Sequence, residues 1–376
     1  MQAVRVMGAV LGGLILLGTS ASVLQTLVTP GGRIGRMFRS VDGATDRWFV
    51  MITKPLRDYH RRYQVLAFQA PVELAAMLVI WLVAYWVGFG LLLWPFTRVL
   101  SAALRESGSS MLTLGFASSR GGGPAAIDFV AGATGLIVVA LQIAYLPTLY
   151  AAFNRRETEV TLIGVRGGLP AWGPELLARS RFTITVADLP DFYRQWERWA
   201  ADVAESHASY PILIRFRSPS PKASWLIALL TVMDSAALYS ALAPREVPIQ
   251  ARLCLAMGFR CLQQLATTVG IPFDPDPRPD AGIALSREEF DQGIARLQSV
   301  GFPMERTPDE AWPHFQGWRV NYESIAYRLA YAIDAVPAAW SGPRRSGEGP
   351  LTPLRVINRT PEDPEGVAAP PTRIKR

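Results

Sequence analysis

Three long stretches almost free of charge constrain this chain more than any other feature. Val6 to Val28 spans 23 residues with no charged side chain; Pro71 to Phe96 carries only Glu73 before its end, and Ala126 to Phe153 only Asp128. A helix rises 1.5 Å per residue, so about 20 apolar residues cross roughly 30 Å of hydrocarbon. In lipid every backbone amide and carbonyl must be satisfied within the protein, and a helix does this alone. The expectation is an all-α membrane protein with three transmembrane helices. Gly132, Gly135 and Pro147 mark where the third is able to bend and serve as hinge or gate candidates. Composition agrees: only 18% of the 376 residues are charged, where soluble domains carry about 25%. Small residues (Thr19 to Ser22) after the first apolar centre also fit a signal peptide, but Arg5 alone makes a poor positive start.

Orientation follows from the loop at 29–70. It holds Arg33, Arg36, Arg39, Arg47, Lys54, Arg57, Arg61 and Arg62 against Asp42, Asp46 and Asp58. Lys and Arg beside span ends stay cytoplasmic. The N-terminus is therefore expected outside the plasma membrane and the C-terminus in the cytoplasm, with Arg155 and Arg156 marking the inner end of the third span. Part of the loop is expected to lie on the membrane as a helix, with Trp48, Phe49, Tyr59 and Tyr63 at headgroup depth. Trp81, Tyr85, Trp86 and Trp94 give the second span an aromatic character suited to lipid contact. The net charge of +7 is explained by these loops; no basic stripe with interleaved aromatics points to nucleic acid.

Between the second and third spans lies "SGSSMLTLGFAS", residues 107–118. Val99 to Leu112 suits a helix of about three turns, too short to cross a bilayer but suited to entering and returning. Span, short helix, Thr-x-Gly-aromatic and span together resemble the pore unit of the potassium channel superfamily. "SSMLTLGFA" is similar to that family's filter, usually Thr-Val-Gly-Tyr-Gly. The resemblance covers 71–156 and implies that Thr113, Leu114, Gly115 and Phe116 bind a monovalent cation, potassium or another, through backbone carbonyls. It implies four copies around an axis, a homotetramer whose carbonyls replace the ion's water. The Thr113 hydroxyl would add a ligand at the inner mouth, and Phe116 would wedge the filter from behind. Pro71 to Phe96 would be the outer helix and Ala126 to Phe153 the inner, with Leu136, Val139, Ile143 and Leu146 along the passage. The departures are Leu112, Leu114, Phe116, Ser118 and above all Ala117, which stands where the family has a second Gly. An Ala resists positive φ by about 1 kcal/mol or more. The alternatives are a tight external turn passing no ion, and a channel-like scaffold or sensor without conduction.

The remaining chain divides the protein into an N-terminal span (1–28), basic loop (29–70), pore unit (71–156), cytosolic all-helical domain with linker (157–340) and disordered tail (341–376). Gly167, Gly168, Pro170, Gly173 and Pro174 predict a turn and short helix in the linker. Helical periodicity then recurs from Asp188, an N-cap candidate followed by Pro190, with Tyr193, Trp196 and Trp199 read as core. Further helices are predicted at 223–243, 249–271, 286–300 and 318–336, in a bundle of five or six. Ser286 and Glu289 have capping-box spacing. Ala223 to Leu242 is long enough to span a membrane in a hairpin with 249–271, but Arg252, Arg260, Gln263 and Gln264 favour a buried soluble pair; Asp234 is read as a partnered core acid. Cys254 and Cys261, two turns apart on one helix, are too distant to pair and read as reduced core residues. Phosphate-loop, nucleophile-elbow and metal-ligand motifs are missing from the sequence, so no enzyme activity and no cofactor are expected.

Overall fold

The computed structural model describes residues 2–29, 35–118, 120–180 and 188–353, and these form helices and connecting turns with no strand. The chain divides into two compact units, Met1–Ala152 and Phe153–Arg376. Arg33 and the tail beyond residue 353 lie outside the described residues.

The first unit contains α1 (Gln2–Leu27), α2 (Arg36–Thr53), α3 (Tyr59–Leu66), α4 (Gln69–Leu93), α5 (Leu100–Met111) and most of α6 (Gly122–Gly167). By length and composition α1, α4 and α6 are each able to cross a membrane. Where the hydrophobic effect adds nothing between helices, close backbone approach holds them together. Gly8 and Gly12 form a small-x-x-x-small pair on α1. A Cβ on Gly12 would stand 2.6 Å from the Gly88 carbonyl of α4, so no side chain fits there. Hydroxyls reinforce the contact: Trp81 Nε1 donates to Ser22 Oγ at 3.1 Å, and Ser20 Oγ pairs with the Tyr85 hydroxyl at 2.9 Å. Trp81 and Tyr85 are thus buried, correcting their reading as lipid-facing aromatics. Of the four aromatics expected at headgroup depth only Trp48 is exposed; Phe49, Tyr59 and Tyr63 are buried.

The third apolar segment does not end at Phe153. Helix α6 runs on unbroken to Gly167. Nothing between Asn154 and Ile163 breaks a helix, and Val160 and Ile163 are buried. The expected Gly/Pro-rich connector therefore shrinks to the turn before α7 (Gly173–Arg179).

The second unit adds α8 (Leu189–Ser209), α9 (Trp225–Leu242), α10 (Ile249–Val269), α11 (Arg287–Gln298), α12 (Pro308–Arg319) and α13 (Glu323–Ala332). Every residue of α9 is buried, which makes it the central helix of this unit. Asp234 on α9 bonds Arg319, and accepts from the Tyr322 hydroxyl at 2.7 Å. It is the partnered core acid expected. Burial pushes its carboxyl up to about 6, with Arg319 and Tyr322 opposing the rise. Both cysteines are buried and free, and burial pushes the Cys261 thiol up to about 12. Tyr193, Trp196 and Trp199 are core residues. The Ser286–Glu289 capping box forms, while Asp188 precedes α8 without a side-chain cap bond.

Two expectations fail here. The helix predicted at 318–336 is the shorter α13, and α12, which lies almost wholly before residue 318, was not expected. A second capping box, Thr307 with Glu310, starts α12 early. The break lets Tyr322 turn inward to Asp234 and lets Glu323 accept the Leu285 amide at 3.0 Å. Nor is the chain disordered from Ser341: Ser341 and Arg344 are buried, and Arg344 donates to the carbonyls of Ala335, Val336 and Ser341 at 2.7, 2.9 and 2.8 Å.

Candidate functional site

The short helix expected before Thr113 is present as α5, and small residues let it lie close to both neighbours. Trp86 Nε1 donates to the Leu104 carbonyl and Ser107 Oγ to the Trp86 carbonyl, each at 2.8 Å. On the other side Ser110 Oγ donates to Asp128 Oδ1 of α6 at 2.7 Å, with Glu106 within hydrogen-bonding reach of Asp128. A Cβ on Gly135 would stand 2.2 Å from the Met111 carbonyl, and one on Gly132 3.2 Å from the Ser110 carbonyl. Gly132 and Gly135, expected as hinge candidates, are packing positions against the end of α5. Pro147 lies exposed within the uninterrupted α6.

The loop after α5 begins as a helix cap. The Thr113 amide donates to the Ser110 carbonyl at 3.0 Å and the Leu114 amide to the Ser109 carbonyl at 2.8 Å. This pair of bonds is a Schellman cap, whose turning residue is usually Gly because it is left-handed. Here Thr113 holds it, at φ 56°. A non-Gly residue held there costs of order 1–3 kcal/mol, a strain found more often at functional positions than elsewhere. Gly115 follows at φ 68°. Ala117, where the sequence departs most from the filter pattern, keeps a negative φ and its amide is held by Ser109 Oγ at 3.0 Å. The left-handed residues are thus 113 and 115, so the Ala meets no steric conflict.

Residues 112–116 are all exposed. The Thr113 hydroxyl donates to the Leu112 carbonyl at 2.8 Å. Among the described residues no group donates to the carbonyls of Thr113, Leu114, Gly115 or Phe116. Four consecutive acceptors on exposed residues are thus left without a donor among the described residues. Phe116 does not wedge behind the loop within its own chain; it is 55% exposed with the Arg105 guanidinium 5.3 Å over its ring. Leu136 and Ile143 are exposed on α6, Val139 and Leu146 partly so.

Sequence reasoning missed the supporting layer: Ser107, Ser109 and Glu106, all buried, with Asp128. The signal was the run of small hydroxyl residues itself, which is how helices in lipid approach closely and hydrogen-bond. No protein-family model, curated protein or solved structure matches the chain.

Proposed function

We propose that this chain is one subunit of a homotetrameric, potassium-channel-like pore that passes monovalent cations down their gradient. The four consecutive carbonyls of Thr113 to Phe116, to which no described residue donates, lie on an exposed loop anchored by α5 and carry the reading. A cation gives up its water only where several oxygens replace it, and one such strand supplies too few; four copies around an axis supply enough. In this reading α5 is a re-entrant pore helix, the loop faces the cell exterior, and the second unit is cytoplasmic and regulates opening or assembly. No covalent chemistry is involved.

The test is potassium and sodium flux into proteoliposomes holding the full chain, with subunits counted by native mass spectrometry. The wild type is expected to run as a tetramer and to pass potassium. Gly115→Asp is expected to assemble equally and to abolish flux. Tetramers that pass neither ion would favour a non-conducting scaffold, and a monomer in lipid would end the pore reading.

A further inference from the structure

We propose that the face between α2 and α4 is a binding site for one acyl chain of an anionic phospholipid, with the lipid phosphate held by α2. A groove of about 480 Å³ opens there, lined by Met37, Val41 and Trp48 of α2 and by Val72, Ala76 and Ile80 of α4. Val72, Ala76 and Ile80 recur every four residues, one row along two turns of α4, which is itself a membrane-length helix. Trp48 is 49% exposed at the groove and Ile80 37%, so its walls are open to an occupant.

Charge placement selects the occupant. Along α2 the groove-facing residues Met37, Val41, Ala44 and Trp48 form one helical stripe. Arg36, Arg47 and Lys54 follow one another at 11 and 7 residues, whole numbers of turns, and so form a parallel stripe beside it. All three are exposed, and Arg47 uses Nε on the Gly43 carbonyl while its charge stays at the surface. Asp42 and Asp46 fall outside the groove stripe, and Asp46 is taken up by α4, where it accepts from Gln69 at 3.3 Å. An apolar slot with a cationic stripe on the same helix fits a molecule with a hydrocarbon chain and a negative head. A second copy of α2 would bring the same cationic stripe against itself, which like charges disfavour.

The probe is phosphatidylglycerol brominated on its acyl chains, compared with brominated phosphatidylcholine, titrated into the full-length protein in detergent micelles. Bromine quenches a tryptophan it touches, and the Trp48 share of the quenching is the difference between wild type and Trp48→Phe. Trp48 is expected to be half-quenched at a several-fold lower mole fraction of phosphatidylglycerol than of phosphatidylcholine. Ala44→Leu, which fills the groove, is expected to raise that fraction several-fold, while Ala75→Leu, exposed on α4 outside the groove, leaves it unchanged. Arg36→Gln/Arg47→Gln/Lys54→Gln, on the surface, is expected to erase the preference between lipids and keep the quenching. Equal response to both lipids in wild type, indifference to Ala44→Leu, or a Trp48 that neither lipid reaches because protein covers it, would each overturn the proposal.

Discussion

Ser109 holds both ends of the loop that follows its helix. Its carbonyl accepts the Leu114 amide at 2.8 Å and its hydroxyl accepts the Ala117 amide at 3.0 Å. The side chain is wholly buried, so one residue of α5 sets the path of the exposed carbonyls between. Ser109→Ala removes the second bond only. A hydrogen bond of this kind is worth about 1 kcal/mol, so hydrogen exchange at Ala117 should quicken about fivefold while α5 amides stay unchanged. Exchange mass spectrometry resolves the two.

Gly135 of α6 and Gly13 of α1 are not equivalent. Gly135→Ala places a methyl against the Met111 carbonyl, whereas Gly13→Ala meets nothing within 4 Å. The first should cost about 1–3 kcal/mol through overpacking. The second should be neutral or stabilise by up to about 1 kcal/mol, because Ala is the better helix former. Thermal unfolding of both variants in one detergent gives the comparison.

His207 should make the second unit acid-sensitive. Arg156, with only donors to offer, bonds its Nε2 at 3.0 Å, so the imidazole proton sits on Nδ1. Burial, then the Arg156 charge, hold the ring well below its ordinary range. A group depressed in the folded state contributes stability that is whole above the unfolded value, about 6.5, and is lost as pH falls below it. The slope should be about 1.4 kcal/mol per pH unit for the one proton. Denaturant titrations at pH 7 and 5.5 should show wild type losing about 1 kcal/mol from this proton as the slope builds, and His207→Gln should lack that loss.

The Asp234–Arg319 pair should behave as a buried pair does. Arg319 also donates to Glu323 Oε1 at 2.9 Å and to the Trp340 carbonyl at 2.6 Å. Arg319→Met strands Asp234 and Glu323 and should cost about 3–5 kcal/mol. Asp234→Asn added to it should restore part of that loss, since one uncompensated charge disappears. Tryptophan-detected denaturation of the single and double variants measures both.

Much of the architecture was legible because hydrophobic length and local capping act within a few turns of chain. The four helices long and apolar enough to cross a membrane (α1, α4, α6 and the wholly buried α9), the short α5 and the Ser286 capping box all follow from runs or spacings visible in the sequence. The Thr307–Glu310 box was equally visible and would have marked the start of α12. What could not be read were the consequences of distant partners. Tyr322 breaks a helical pattern because Asp234, 88 positions away, offers it an acceptor. Arg344 orders a polar, Gly/Pro-rich segment because the carbonyls of Ala335 and Val336 converge on it.

The same division runs through the candidate site. By itself the sequence determined that a short helix ends in Thr113-Leu114-Gly115-Phe116 between two membrane-length segments, since composition and hydropathy suffice for that. Only the tertiary structure decided which residues turn left-handed, that Gly132 and Gly135 make room for α5, and that the serines hold the loop. Those outcomes depend on which backbone carbonyl meets which neighbour at 2–3 Å, and packing at that range is set by elements far apart in the chain.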